Sequence, residues 1–257
     1  MLRCSTHADL PALRALWQDC FGDPPEYIAL YFDHYWQPER LFVLEAEGAP
    51  RAMCAWFELE LHGAPAAYFY AVATDPAYQG RGFCRRLMSW AEETLTQAGI
   101  RQFLLVPGSE SLFRFYAGMG YETAGAIGSV TVTEALPGDV KPLTADAYRP
   151  LRLALQPENA VDYPGEAVRY QEILCRFSGG GLCALGDRGC AVVERLSGTT
   201  LLVKEALGCE PLLAGNWLLH HCGADRAIVR FPEDGAPPFC MGKNLTRIPC
   251  YLGLAFD

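Results

Sequence analysis

Apolar residues recur along this chain with two alternating periods, and each change of period marks a boundary between elements. Steps of three and four predict helices over 8–21 and 26–35, and denser apolar runs predict strands at 41–47, 52–61 and 66–74. Phe83, Leu87, Trp90, Ala91 and Leu95 fall on one face of a helix over 82–99. A strand at 102–106, a helix at 111–119 and a final strand at 129–133 complete the first half. Strands interleaved with amphipathic helices predict an α/β layered domain with a mixed sheet. Glu134, Ala135, Leu136, Pro137 and Gly138 break the pattern, so the expected domains are 1–135 and 139–257.

The second half echoes the first. Residues 11–18 (PALRALWQ) are followed in kind by 150–156 (PLRLALQ), and 41–48 (LFVLEAEG) by 182–189 (LCALGDRG). Residues 98–107 (AGIRQFLLVP) have their counterpart at 222–232 (CGADRAIVRFP). Three echoes in the same order point to a duplicated fold. A lipid-carrier-like second domain is the rival reading.

The most specific chemistry lies between residues 68 and 87, where an apolar strand meets a helix through YQGRG. Thr74, Asp75 and Pro76 stop the strand, and Gly80 and Gly82 precede the helix. A glycine loop opening a helix leaves backbone N–H groups free to face an anion, and the helix dipole favours negative charge there. Arg81, Arg85 and Arg86 gather at this point in a chain whose formal net charge is −9. The spacing lacks the third glycine of a dinucleotide fingerprint and the lysine of a P-loop. Residues 203–217 hold no such loop, so one cofactor site is expected rather than two.

Gln79, Gly80, Arg81, Gly82, Phe83 and Cys84 resemble the Q/R-x-x-G-x-G/A motif of the GNAT N-acetyltransferase superfamily, with Cys84 in place of a small last residue. Residues 113–121 (FRFYAGMGY) resemble that family's later F-Y-x-x-x-G-[FY] segment. The resemblance implies a GNAT-like acyltransferase fold, duplicated with a degenerate second copy, and acetyl-CoA as co-substrate without a metal. It implies that Gln79, Gly80, Arg81, Gly82, Phe83, Cys84 and Arg85 hold the pyrophosphate, while the backbone of Val72, Ala73 and Thr74 pairs with the pantetheine arm. It makes Tyr116 the proton donor to the departing thiolate, a phenol being protonated at neutral pH. The strand glutamate that serves as base in some members has no counterpart at 66–70. Glu58, Glu60 and the carboxylates of Asp257 remain as candidates. The segment 23–36, with its aromatics and with Asp23, Glu26, Asp33 and His34, would border a cationic acceptor.

Composition narrows the partners. A sequence pI near 5.1 argues against a nucleic-acid ligand. No run of apolar residues is long enough to cross a membrane, and the start of the chain lacks a secretory core, which predicts a cytoplasmic protein. Eleven cysteines without a C-x-x-C pair read as reduced, mostly buried thiols. The expected partner is an amine, on a small molecule or a peptide, with an oligomer left open. Two other functions fit the residues: a non-catalytic acyl-CoA-binding module, and an aminoacyl transferase, which would need a basic groove for tRNA.

Overall fold

In a computed structural model, which describes residues 1–233 and 235–256, the strand and helix patterns resolve into thirteen strands and seven α-helices. The first elements are β1 (Leu2–Cys4), α1 (Leu10–Phe21), α2 (Pro25–His34), β2 (Leu41–Ala46), β3 (Ala49–Leu61) and β4 (Ala64–Thr74). After them come α3 (Phe83–Gln97), β5 (Gln102–Leu105), α4 (Glu110–Ala117), β6 (Glu122–Ala126) and β7 (Gly128–Val132). The remainder is β8 (Val140–Leu143), α5 (Ala145–Leu155), α6 (Gly165–Phe177), β9 (Gly181–Leu185) and β10 (Gly189–Ser197), then β11 (Thr200–Leu207), α7 (Pro211–Cys222), β12 (Arg226–Phe231) and β13 (Pro238–Lys243).

The chain divides into two compact units. One comprises Met1–Glu122 with Met241–Thr246, and the other Thr123–Cys240 with Arg247–Asp257. Two mixed sheets run through them, ordered β1-β2-β3-β4-β5-β13-β6 and β7-β12-β11-β10-β9-β8.

The duplication read from the sequence is visible in this topology. In the first sheet β1 to β4 pair antiparallel in succession and β4 pairs parallel with β5. In the second, β8 to β11 do the same and β11 pairs parallel with β12. Two helices precede the main hairpins in each unit, and one helix, α3 or α7, carries the crossover to the parallel strand. Each sequence echo lands on equivalent elements: α1 and α5, β2 and β9, β5 and β12. The strand predicted at the end of the first half, β7, pairs antiparallel with β12 in the second sheet. The equivalent place beside β5 is taken by β13, through Met241↔Leu105 to Lys243↔Phe103.

Burial explains the helix boundaries. In α1, Leu13, Leu16 and Trp17 face inward, and Gly22, at φ 75°, ends the helix in the left-handed conformation. In α3, Leu87, Met88, Ala91 and Leu95 pack on Phe42, Leu105 and Met241 in the first core. The second core is built from residues such as Leu185, Ala191, Val203 and Leu218. The cysteines are free thiols, with Cys54, Cys175, Cys183, Cys190, Cys240 and Cys250 buried. No helix among the described residues is long and apolar enough to cross a membrane.

Candidate active site

The cleft begins where β4 and β5 part. Their parallel pairing runs only from Ala66↔Gln102 to Phe69↔Leu105, so Tyr70 to Thr74 have no strand partner on that side. On the other side, the register with β3 shifts between Met53 and Ala55, and Ala71 sits at φ 47°. One residue of β3 thus opposes an extra residue of β4, a bulge that bends the strand and re-aims its peptide groups. A left-handed alanine costs on the order of 1 kcal/mol, and such strain clusters at functional sites.

Beyond β4 the chain turns through the loop. Asp75 accepts the Ala77 N–H at 2.9 Å and pairs with Arg51 at 2.9 Å. The Gln79 amide donates to the Thr74 carbonyl at 3.2 Å, and the Cys20 thiol reaches the same oxygen at 3.4 Å. Gly80 and Gly82 adopt φ values of 73° and 75°. Gly82 is the N-cap of α3 and supplies no side chain to its first N–H groups. These amides therefore face the cleft without a competing acceptor from the cap. The second unit differs at the corresponding helix: Glu210 precedes α7, and its carboxylate accepts the N–H groups of Leu212 and Leu213 at 2.9 and 3.4 Å. The chain itself thus supplies an anion at the start of α7.

A cleft of about 480 Å³ joins these parts. Of the residues expected from the sequence, Val72, Thr74, Gln79, Gly80, Gly82, Phe83, Cys84, Arg85 and Tyr116 line it. Ala73 does not line it, its side chain being buried beside β3. Arg81 is not in the lining either; its guanidinium lies 4.8 Å from the centre of the Tyr78 ring. Arg51 stacks on Tyr78 as well, at 4.7 Å, and the Tyr78 hydroxyl donates to Glu47. Arg85 donates to the Gly118 carbonyl at 2.7 Å, bracing the end of α4. The Thr74 hydroxyl is buried and has no hydrogen-bond partner among the described residues.

Three lining residues were missed in the sequence: Tyr78, Leu112 and Phe115. Leu112, Phe115 and Tyr116 stand at helical spacing on α4, a signal that was available. Burial pushes the Tyr116 phenol well up, with the Cys84 thiol adding to the effect. Burial likewise pushes Cys84 up to about 11, so this thiol is neutral at physiological pH.

The expected base and acceptor residues are placed differently. Glu58 pairs with Arg40 at 3.0 Å, and Glu60 is exposed on β3. Asp257 lies outside the described residues. No carboxylate is found among the described residues lining the cleft. In the segment 23–36, Asp23 accepts the Trp17 indole N–H at 2.8 Å and Asp33 pairs with Arg14. Ile28, Tyr31 and Phe32 turn inward from α2, while Glu26 and His34 are exposed. The helix is amphipathic, with its aromatics packed on Trp17 and Tyr70. Among the described residues no cluster of three His, Cys, Asp or Glu side chains is placed to hold a metal ion.

Residues 2–124 match the family model described as the acetyltransferase (GNAT) domain. No curated protein matches the chain. Solved structures with the same fold include a putative acetyltransferase from Pyrococcus horikoshii, 15% identical, with a TM-score of 0.70 over 99% of this chain and 92% of that one. A GCN5-related N-acetyltransferase from Anabaena variabilis is 15% identical, with a TM-score of 0.69 over 94% and 72%. One from Kribbella flavida is 16% identical, with a TM-score of 0.67 over 94% and 70%.

Proposed function

We propose that this chain, whose residues 2–124 match the acetyltransferase (GNAT) domain, transfers an acetyl group from acetyl-CoA directly to a primary amine of a small molecule or peptide. The observation that carries the reading is the continuity of one cleft from the uncapped N-terminus of α3 to Tyr116. The amides around Gly80 and Gly82 suit a pyrophosphate, and the unpaired side of β4 suits an amide-bearing arm laid along it. The free Thr74 hydroxyl adds a donor and an acceptor to that wall.

In the proposed step the neutral amine nitrogen attacks the thioester carbon, the C–S bond breaks, and sulfur leaves with the electron pair. A backbone N–H near the β4 bulge would stabilise the developing oxyanion. Tyr116 is held protonated by burial, so it offers a hydrogen-bond donor wherever negative charge grows on sulfur. Full proton transfer from a phenol to a thiolate of reference pKa about 8.5 is uphill, so the donor acts chiefly in the transition state. The amine nitrogen loses its extra proton to solvent or a base as the amide forms.

The second unit is proposed as a degenerate copy that binds no CoA, because Glu210 caps α7 where the first unit leaves α3 open. The lack of a carboxylate in the described cleft lining favours one other reading, a non-catalytic acyl-CoA-binding module. Release of CoA–SH from acetyl-CoA with spermidine, kanamycin, lysine and a short peptide separates the two. Turnover with one class of amine, reduced in Tyr116→Phe, is the expected result. Tight acetyl-CoA binding without release for any amine would favour the second reading.

A further inference from the structure

Next to Tyr116 lies a part-buried charged network that the step above does not use. The Tyr121 hydroxyl donates to Glu92 Oε1 at 2.8 Å, and Lys243 Nζ donates to Glu92 Oε2 at 2.6 Å. Glu92 is on the inward face of α3, where an amphipathic pattern alone would place an apolar residue. Lys243 is the last residue of β13, far along the chain, opposite Phe103 of β5. Its ammonium stands 5.5 Å from the centre of the Tyr121 ring, and its side chain passes beside Gly120.

This network reaches Tyr116 by two routes. The Tyr121 ring meets the Tyr116 ring edge-on, with centroids 5.8 Å apart and planes at 65°. The Tyr121 N–H also donates to the Tyr116 carbonyl at 3.1 Å. From the other side Arg85, itself in the cleft wall, holds the Gly118 carbonyl. The turn from Tyr116 to Tyr121 is therefore clasped between α3 and the strand that arrives last in the chain. Burying a carboxylate and an ammonium together seldom adds net stability over an apolar pair, but it fixes geometry. Among the described residues each oxygen of Glu92 has one partner, so moving either partner would leave a largely buried polar atom unmatched.

We propose that Glu92, Tyr121 and Lys243 are positioning residues for Tyr116. Lys243 orients Glu92, Glu92 fixes the Tyr121 hydroxyl, and the Tyr121 ring sets the angle at which the Tyr116 phenol meets the cleft. The inference rests on Tyr116 being the donor to sulfur. It also makes the reaction of the first unit depend on a residue near position 243, which the first half of the sequence does not contain.

The test is a double-mutant cycle on the full chain, measuring CoA–SH release with the acceptor selected by the amine screen. Tyr121→Phe removes one oxygen and keeps the ring; kcat should fall about tenfold, with KM for acetyl-CoA unchanged within about twofold, because the phosphate loop is untouched. In a Tyr116→Phe background the same substitution should have no further effect, since it acts through a hydroxyl that is gone. Lys243→Arg should retain more of kcat than Lys243→Met, with melting curves confirming that each variant is folded. Wild-type kcat in folded Tyr121→Phe, or a tenfold loss that persists in the Tyr116→Phe background, would overturn the proposal. If Tyr116→Phe alone keeps full rate, the donor reading fails first and the positioning role falls with it.

Discussion

Gly82→Ala tests the phosphate loop with the smallest change available. Gly82 has φ 75° and ψ 13°, and a Cβ built there would touch nothing within 4 Å. Sterics with neighbours therefore contribute nothing, and the cost is that of a left-handed L-residue, about 1–2 kcal/mol. Two outcomes share this amount. If the loop keeps its shape, the folded state loses the full 1–2 kcal/mol in a denaturant titration, and acetyl-CoA affinity barely changes. If the loop relaxes, stability is spared, but the binding conformation must be recovered with the ligand, and Kd rises by about 5- to 30-fold. Calorimetric titration with acetyl-CoA and a urea melt on the same preparation should give losses that sum to about 1–2 kcal/mol. Gly99→Ala is the control: Gly99 ends α3 at φ 94°, also with nothing near its Cβ, so its loss should appear in stability alone. Unchanged affinity and stability in Gly82→Ala, or an equal loss of affinity in Gly99→Ala, would refute the loop assignment.

Tyr116→Phe should lower kcat by about 10- to 10⁴-fold. Because burial raises the wild-type phenol, the rate should show no descending limb from this group up to about pH 9, and a limb in that range that disappears in the Phe variant would contradict the raised phenol. Asp9, held at about 2 by a two-pronged contact with Arg3 at 2.7 and 2.8 Å, contributes stability that is present above the unfolded value near 3.9. That contribution is lost as pH falls from about 3.9 through about 2, so Asp9→Asn should cost about 1–2 kcal/mol at pH 7 and about 0.4 kcal/mol at pH 2 in chemical denaturation. Arg152 and Glu205 are 1% and 0% exposed and joined at 2.7 and 3.1 Å, with Tyr148 donating to the same carboxylate. Arg152→Met leaves that charge buried and should cost about 3–5 kcal/mol in a urea melt, whereas Arg152→Met with Glu205→Leu should recover part of the loss.

The elements around the site were legible because local patterns encode them. The glycines flanking Arg81, the break at Thr74 to Pro76 and the apolar face of α3 are all signals within a few residues of their effect. The register shift that bulges β4 depends on pairing with β3 and has no such signature. The role of β13 was equally hidden, because only tertiary pairing puts Met241 to Lys243 beside β5. Glu92 is buried on α3 with Tyr121 and Lys243 as its partners, and both lie elsewhere in the sequence. Asp23 and Asp33 of the segment 23–36 find partners in Trp17 and Arg14 on α1. A sequence shows which side chains are charged, but their partners are fixed by packing.

One cofactor cleft per chain, at the open end of α3, is the central proposal, with Glu210 capping α7 in the second copy. Titration of the full-length protein with acetyl-CoA in a calorimeter measures this directly. The predicted result is one equivalent bound per chain, a stoichiometry unaffected by Glu210→Gln. Two equivalents, or no binding at all, would contradict it.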